Sequence, residues 1–238
     1  MARPGLPARG DGAPHGRAQE FPERRKIEGS DNGRVGSVGQ PNEIYDKYLT
    51  RAISEINDLT GELLRCRLCS HSKSMPVIGS GHPLADIMLL KYRAQPSEVH
   101  EGVAFFGRAG TAVMKSCQRL GIDPLQLYGT NVLKCGSVRD EAKAEARCLE
   151  YVRREIAIVE PKIVVAMGEK VVAALNRLEL PAAKTVEFDV GEIHELTPAT
   201  DVLVTPDIDA SLDEQRLKAG FWRAFRRLGD WYEAIPPY

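Results

Sequence analysis

Cys66, Cys69, Cys135 and Cys148 are the residues of this 238-residue chain best suited to chemistry. The Cys66-Arg-Leu-Cys69 turn aims two thiolates at one point, and Cys135 and Cys148, with 12 residues between them, could supply the other two ligands of a metal centre. A redox pair, disulfides and buried structural thiols are the competing uses. Disulfides suit small secreted domains with thin cores, whereas this chain is 43% apolar and its first 40 residues carry no apolar run of the secretory kind. A cytoplasmic protein is therefore expected. Zinc and an iron–sulfur cluster both accept four thiolates. Zinc sites usually draw their pairs from compact loops; here 65 residues separate Cys69 from Cys135, and that spacing leans towards a cluster set within a domain. Cys117 stands apart, at helical spacing from Val113 and Leu120, as a core thiol does.

These thiols need elements to hold them. Residues 1–40 contain eight Gly, four Pro and seven Arg or Lys among little that is apolar, so a disordered tail is expected there. From Pro41 a helical pattern places Ile44, Tyr48, Ala52, Ile53, Ile56, Leu59 and Leu63 on one face and delivers the chain to Cys66. Short apolar runs at Asp86–Leu90, Leu127–Lys134, Ile163–Met167 and Val202–Thr205 read as buried strands. Helical patterns at about 109–120, 141–159 and 169–178 separate them. Strand and helix in alternation predict an α/β fold, a three-layer α/β/α sandwich around a central, mostly parallel four-stranded sheet. Such sheets bind ligands at the carboxyl ends of their strands, here the loops after Leu90, Lys134, Met167 and Thr205.

A last helix over Leu212–Leu228 carries an apolar stripe and, opposite it, Arg216, Lys218, Arg223, Arg226 and Arg227. The formal net charge is −1, so any nucleic-acid surface must be local. No stretch approaches the length of a membrane span.

The ordered motifs Gly102-Val-Ala-Phe-Phe-Gly-Arg-Ala-Gly110, Tyr128-Gly-Thr-Asn-Val-Leu-Lys-Cys135, Cys148-Leu-Glu-Tyr151 and Glu160-Pro-Lys-Ile-Val-Val-Ala-Met-Gly168 resemble those of the family 4 uracil-DNA glycosylases. The resemblance spans about residues 62–228 and includes the family order of cysteines. It implies a single glycosylase-like domain over 41–238 and a 4Fe-4S cluster on Cys66, Cys69, Cys135 and Cys148, zinc being the alternative. It also implies that Phe105 stacks on a base extruded from DNA and that Asn131 reads the base edge, its amide offering a donor and an acceptor together. Arg108 and Lys134 match family residues near the loop ends and would hold phosphates, as Lys91 and Arg93 could. His194 sits in Gly191-Glu-Ile-His194, which resembles the family's Arg-Gly-x-x-His segment with Val190 replacing the arginine, and is a further DNA contact.

Two loops depart from the family. Lys91-Tyr-Arg-Ala-Gln95 stands where the family has Gly-Glu-Ala-Pro-Gly, and Asp207-Ile-Asp-Ala210 aligns with its His-Pro-Ser/Ala pattern. Long side chains in place of glycines must remodel the first loop. An aspartate in place of the histidine would repel a developing base anion. The carboxylates of these loops, Glu98, Glu101, Asp207 and Asp209, become the candidates for stabilising an oxocarbenium-like sugar. The plainer reading of each is a loop or cap residue.

Two functions follow. In one, the chain is a DNA glycosylase that removes a uracil-like or modified pyrimidine, in DNA repair or in antiviral defence against phage with modified bases. In the other, catalysis has been lost and the fold binds damaged or single-stranded DNA. Either way DNA is the partner of a protein expected to be monomeric, with no membrane involved.

Overall fold

The computed structural model describes residues 41–69 and 75–235; the expected tail at 1–40 lies outside them. The first helix, α1 (Pro41–Arg65), ends where Cys66 begins the cysteine turn. A two-residue strand β1 (Ser80–Gly81) precedes β2 (Ile87–Arg93), a short helix α2 (Pro96–Glu101) and α3 (Arg108–Arg119). Then come β3 (Leu127–Leu133), α4 (Glu141–Val159), β4 (Ile163–Met167) and α5 (Glu169–Leu175). A hairpin of β5 (Ile193–Thr197) and β6 (Thr200–Thr205) leads to α6 (Ile208–Asp213) and α7 (Gln215–Ala234).

The strands form one sheet in the order β1-β3-β2-β4-β6-β5. Its four inner strands, β3, β2, β4 and β6, are mutually parallel and coincide with the four apolar runs of the sequence. Both edges are antiparallel additions, β1 on β3 and β5 on β6, so the sheet has six strands rather than the expected four. Neither edge carries an uninterrupted apolar run: β1 is Ser-Gly, and β5 is Ile-His-Glu-Leu-Thr with only Leu196 buried.

Side chains of successive strand residues alternate between two cores. On one face Met88, Leu90, Val164, Val202 and Val204 meet Val152 and Ile156 of α4 and Val171 and Leu175 of α5. On the other, Ile87, Leu89, Val165, Met167 and Leu203 meet Val113 and Cys117 of α3, Ile208 of α6 and Phe221 and Phe225 of α7. Leu59 and Leu63 of α1 pack on Tyr151 of α4, outside the sandwich. The fold is thus α/β with helices on both faces of a mostly parallel sheet.

Two boundaries differ from the sequence reading. Strand β2 runs on through Lys91 to Arg93, because its backbone continues to pair with β3 on one side and, as far as Lys91, with β4 on the other. The expected helix Leu212–Leu228 is two helices. Asp207 starts the first by accepting a hydrogen bond from the Ala210 N–H, and Glu214, in extended conformation, separates them. The exposed Arg216, Lys218, Arg223, Arg226 and Arg227 all lie on α7.

Candidate active site and cysteine cluster

At the carboxyl ends of the parallel strands the register aligns Asn131 of β3, Lys91 of β2, Met167 of β4 and Thr205 of β6 in one row. Two residues earlier on each strand lies the row Gly129, Leu89, Val165 and Leu203, which faces the α3, α6 and α7 layer. Alternation therefore turns Asn131 and Lys91 to the same side. The topology brings together there the start of α6, with Asp209, and the segment between α2 and α3, with Phe105.

Lys91 is 1% exposed. An ammonium is retained at such a depth only with compensating charge. Its Nζ lies 2.5 Å from Glu98 Oε2 and 2.9 Å from Asp209 Oδ2. Glu98 is equally buried, while the Asp209 side chain is 20% exposed. Glu98 does further work on the backbone: Oε2 accepts from the Gln95 N–H at 2.6 Å and Oε1 accepts from the Phe105 N–H. One carboxylate thus ties together the end of β2, the start of α2 and Phe105.

Phe105 is held in a backbone conformation unusual for a side-chain-bearing residue, with φ of 60°. Its ring packs on Gly129, where an added Cβ would stand 2.6 Å from Cδ2. Its carbonyl is approached by Gly110, where an added Cβ would stand 1.8 Å from the oxygen. Both glycines are therefore required by close approach rather than by turn geometry. The Lys91 ammonium is 5.6 Å from the centroid of the Phe105 ring.

Asn131 is 0% exposed, and neither its Nδ2 nor its Oδ1 has a hydrogen-bond partner. Each such buried orphan costs roughly 1–3 kcal/mol. Such an amide offers a free donor and a free acceptor together, the complement of an edge that carries an acceptor beside a donor. Pyrimidines carry such an edge.

Several of the other candidate residues are placed differently from expectation. Lys134 is no surface phosphate contact: it is 0% exposed and faces the opposite core, its Nζ 2.5 Å from Glu155 Oε2 and 2.6 Å from Thr130 Oγ1. Lys91 likewise turns to carboxylates inside the protein rather than outward, because it lies within the strand and not in a loop. Arg93, at the strand end, pairs with Glu141 of α4. Asp207 is a helix cap, and Glu101 is turned outward beside His100, 3.1 Å away. His194 lies in β5, not a loop, and pairs in register with Val202, whose side chain belongs to the α4 and α5 face. It is thereby on the other side of the sheet from Asn131. Arg108 starts α3 and remains accessible, its side chain 70% exposed and paired with Asp213 at 2.6 Å.

The four cysteines converge from α1, the end of β3 and α4. Cys66 follows α1, Cys69 closes the turn, Cys135 lies two residues beyond β3, and Cys148 is on the buried face of α4. All four are free thiols. Burial, then the Cys69 thiol, with smaller contributions from Cys148 and Cys66, push the Cys135 thiol up to about 12. Cys148 is raised by burial, partly offset by the backbone N–H and charge of Lys134. Among the described residues no three His, Cys, Asp or Glu side chains are gathered tightly enough for a single ion. Four free thiols within mutual electrostatic reach are the donor set that a four-iron cluster takes, so the residues fit that group.

The cysteine region is coupled to Phe105 by backbone. The Val77 N–H donates to the Lys134 carbonyl at 2.6 Å, next to Cys135. Ile78 then exchanges bonds with Gly102 and Ala104, each at 2.9 Å, and Ser80 Oγ donates to the Ala104 carbonyl at 2.8 Å. Phe105 is the next residue.

Sequence reasoning missed the internal role of Lys91 and the supporting roles of Gly129 and Glu155. A signal existed for the first. Lys91 and Tyr92 extend the run Ile87-Met-Leu-Leu without a turn residue, and the odd positions of that run share a face.

The mostly parallel α/β sheet thus carries at its carboxyl ends a buried amide without hydrogen-bond partners, Asn131, and the ring of Phe105 packed on Gly129. Residues 78–226 match the model of the uracil DNA glycosylase superfamily, and the chain belongs to that superfamily. It is 25% identical over 186 residues to the type-4 uracil-DNA glycosylase of Archaeoglobus fulgidus, an alignment covering 75% of this chain and 94% of that protein. The type-4 uracil-DNA glycosylase of Sulfurisphaera tokodaii is 31% identical over 122 residues, 49% of this chain and 56% of its own length. That of Pyrobaculum aerophilum is 28% identical over 122 residues, 49% of this chain and 60% of its own.

Proposed function

We propose that the chain is a DNA glycosylase, hydrolysing the N-glycosidic bond of a flipped-out, uracil-like or modified pyrimidine to leave an abasic site. The observation that carries this reading is Asn131, buried with both amide atoms free. An extruded base stacks on the Phe105 ring, and Asn131 donates to its carbonyl and accepts from its ring N–H. Arg108 contacts a phosphate of the strand.

Bond cleavage puts positive charge on the sugar and negative charge on the departing base. Asp207 is engaged as a helix cap and cannot steady that anion. The Lys91 ammonium, on the same face as Asn131 and beside the Phe105 ring, supplies the positive charge instead. Asp209, the more exposed carboxylate of the pair around Lys91, faces the cationic sugar. Glu98 acts through others, fixing Phe105 and Lys91 in place.

Cys66, Cys69, Cys135 and Cys148 would hold a 4Fe-4S cluster, which when bound would tie α1, the end of β3 and α4 together. The backbone bonds from Val77 to Ala104 link that region to Phe105.

Lys91 stands where the family pattern has a glycine, and this departure supports a base other than plain uracil. The test is incubation of the protein with DNAs containing uracil, hypoxanthine, 5-hydroxymethylcytosine or its glucosylated form, followed by alkaline cleavage. Uracil or hypoxanthine cleavage supports a repair role, and cleavage at the glucosylated base an antiviral one. The second reading, binding without excision, draws on the enclosure of Lys91 by two carboxylates. DNA affinity with no cleavage on any substrate would select it.

A further inference from the structure

We propose that Lys91 is also an amine nucleophile, and that the site cuts the DNA backbone at the abasic sugar through an imine between Lys91 Nζ and C1′. The inference deepens the glycosylase reading of the same pocket and rests on it. Three observations place the chemistry. The ammonium is enclosed at 1% exposure, on the same face as the Asn131 amide. Its Nζ is 2.9 Å from Asp209 Oδ2, within proton-transfer distance of a carboxylate that itself reaches solvent. The second carboxylate, Glu98, is occupied by two backbone N–H groups and holds the lysine in position without being free to move. An amine fixed beside a proton acceptor, on the face that carries Asn131 and near the Phe105 ring, can act as a Schiff-base lysine once it gives up its proton.

The steps balance. Lys91 gives a proton to Asp209 and the neutral amine adds to the C1′ aldehyde of the ring-opened abasic sugar, forming the N–C1′ bond. The C1′ oxygen takes the proton back from Asp209 and a second from the attacking nitrogen and leaves as water, giving a protonated imine. That cation acidifies C2′–H. Asp209 removes the C2′ proton, giving the enamine with a C1′–C2′ double bond; the nitrogen lone pair then re-forms the imine, the C1′–C2′ pair moves to C2′–C3′, and the C3′–O3′ bond breaks with the phosphate as leaving group. Water then hydrolyses the conjugated imine, returning the amine and releasing an unsaturated aldehyde on the 5′ fragment. No oxidant or reductant enters.

Monofunctional base removal needs none of this, so the two activities separate experimentally. The protein as purified is incubated with an oligonucleotide carrying a preformed abasic site in the presence of sodium cyanoborohydride, which reduces an imine to a stable amine. The expected result is a covalent protein–DNA adduct on a denaturing gel, with mass spectrometry locating the modified peptide at Lys91. Lys91→Arg and Lys91→Met are expected to lower adduct yield at least tenfold, and Lys170→Arg, at an exposed lysine paired with Glu141, to leave it unchanged. Site mapping in the unaltered protein decides the matter even where a Lys91 variant fails to fold. Absence of an adduct, or an adduct on another lysine, would overturn the proposal. Because the abasic site is preformed, neither outcome depends on whether the protein removes a base.

Discussion

Lys91 and Asn131 stand side by side in register on β2 and β3, one fully partnered and the other with no partner at all. The contrast separates two kinds of buried polar group. The lysine is satisfied by the protein's own carboxylates and is stable as it stands. The asparagine has no protein partner for either amide atom, and in the proposed reaction the base supplies both.

That deficit has a measurable consequence. Asn131→Leu, of similar volume and with nothing left to satisfy, is expected to raise unfolding stability by ~1–3 kcal/mol. In the same protein, base release is expected to fall about a hundredfold or more, as when a specific hydrogen-bonding group is removed from an active site. Urea denaturation and an excision assay on one preparation check both. Lower stability in the variant would mean that the amide makes a structural bond in the resting protein.

Gly129 touches no substrate in this scheme, yet a methyl group there would stand 2.6 Å from the Phe105 ring. Gly129→Ala is expected to displace the ring and reduce the excision rate on the order of a hundredfold, as misplacement by about 1 Å does elsewhere. The circular dichroism spectrum should be retained. An unaltered rate would show that stacking on Phe105 does not matter.

Glu98 joins Lys91, Gln95 and Phe105 through three bonds. Glu98→Ala leaves the lysine with Asp209 alone and two backbone N–H groups without their acceptor, and is expected to cost ~3–5 kcal/mol, the range seen when one partner of a buried pair is removed. Glu98→Gln should cost less, because an amide oxygen still accepts. Chemical denaturation resolves the two, and a loss below about 1 kcal/mol for the alanine variant would contradict the clamp role.

With iron bound, the protein is expected to be brown and to absorb broadly near 400 nm, a value on the order of those for thiolate-held clusters. Burial and the neighbouring Cys69 hold the metal-free Cys135 thiol up at about 12, so below that pH this thiol is protonated. Loading must then expel protons, and the sign is fixed: retention weakens as pH falls. Bleaching should be faster at pH ~6 than at pH ~8, and Cys135→Ala should abolish the colour. A colourless protein that releases zinc would replace the cluster assignment.

Much of the scaffold was legible in the sequence. The apolar runs at Ile87, Leu127, Ile163 and Val202 became the four parallel strands, because strands buried on both faces have few alternatives to aliphatic side chains. The edge strands escaped, since Ser80–Gly81 and Ile193–Thr197 owe their conformation to neighbours rather than to an apolar pattern. Asp207 as a helix cap followed the ordinary preference of aspartate for that position. The partners of Lys91 and Lys134 were hidden for another reason. Asp209 lies 118 residues from Lys91 and Glu155 lies 21 from Lys134. No local pattern announces such pairs, and a lysine near a strand end is by composition a surface residue.

The most direct measurement is base release itself. A labelled oligonucleotide panel containing uracil, hypoxanthine, 5-hydroxymethylcytosine and its glucosylated form is incubated with the protein, treated with alkali and resolved by length. Cleavage at one modified position, lost in Asn131→Leu, is the expected result. Intact strands across the whole panel, from a protein that binds the same DNA, would contradict the assignment of this pocket to base excision.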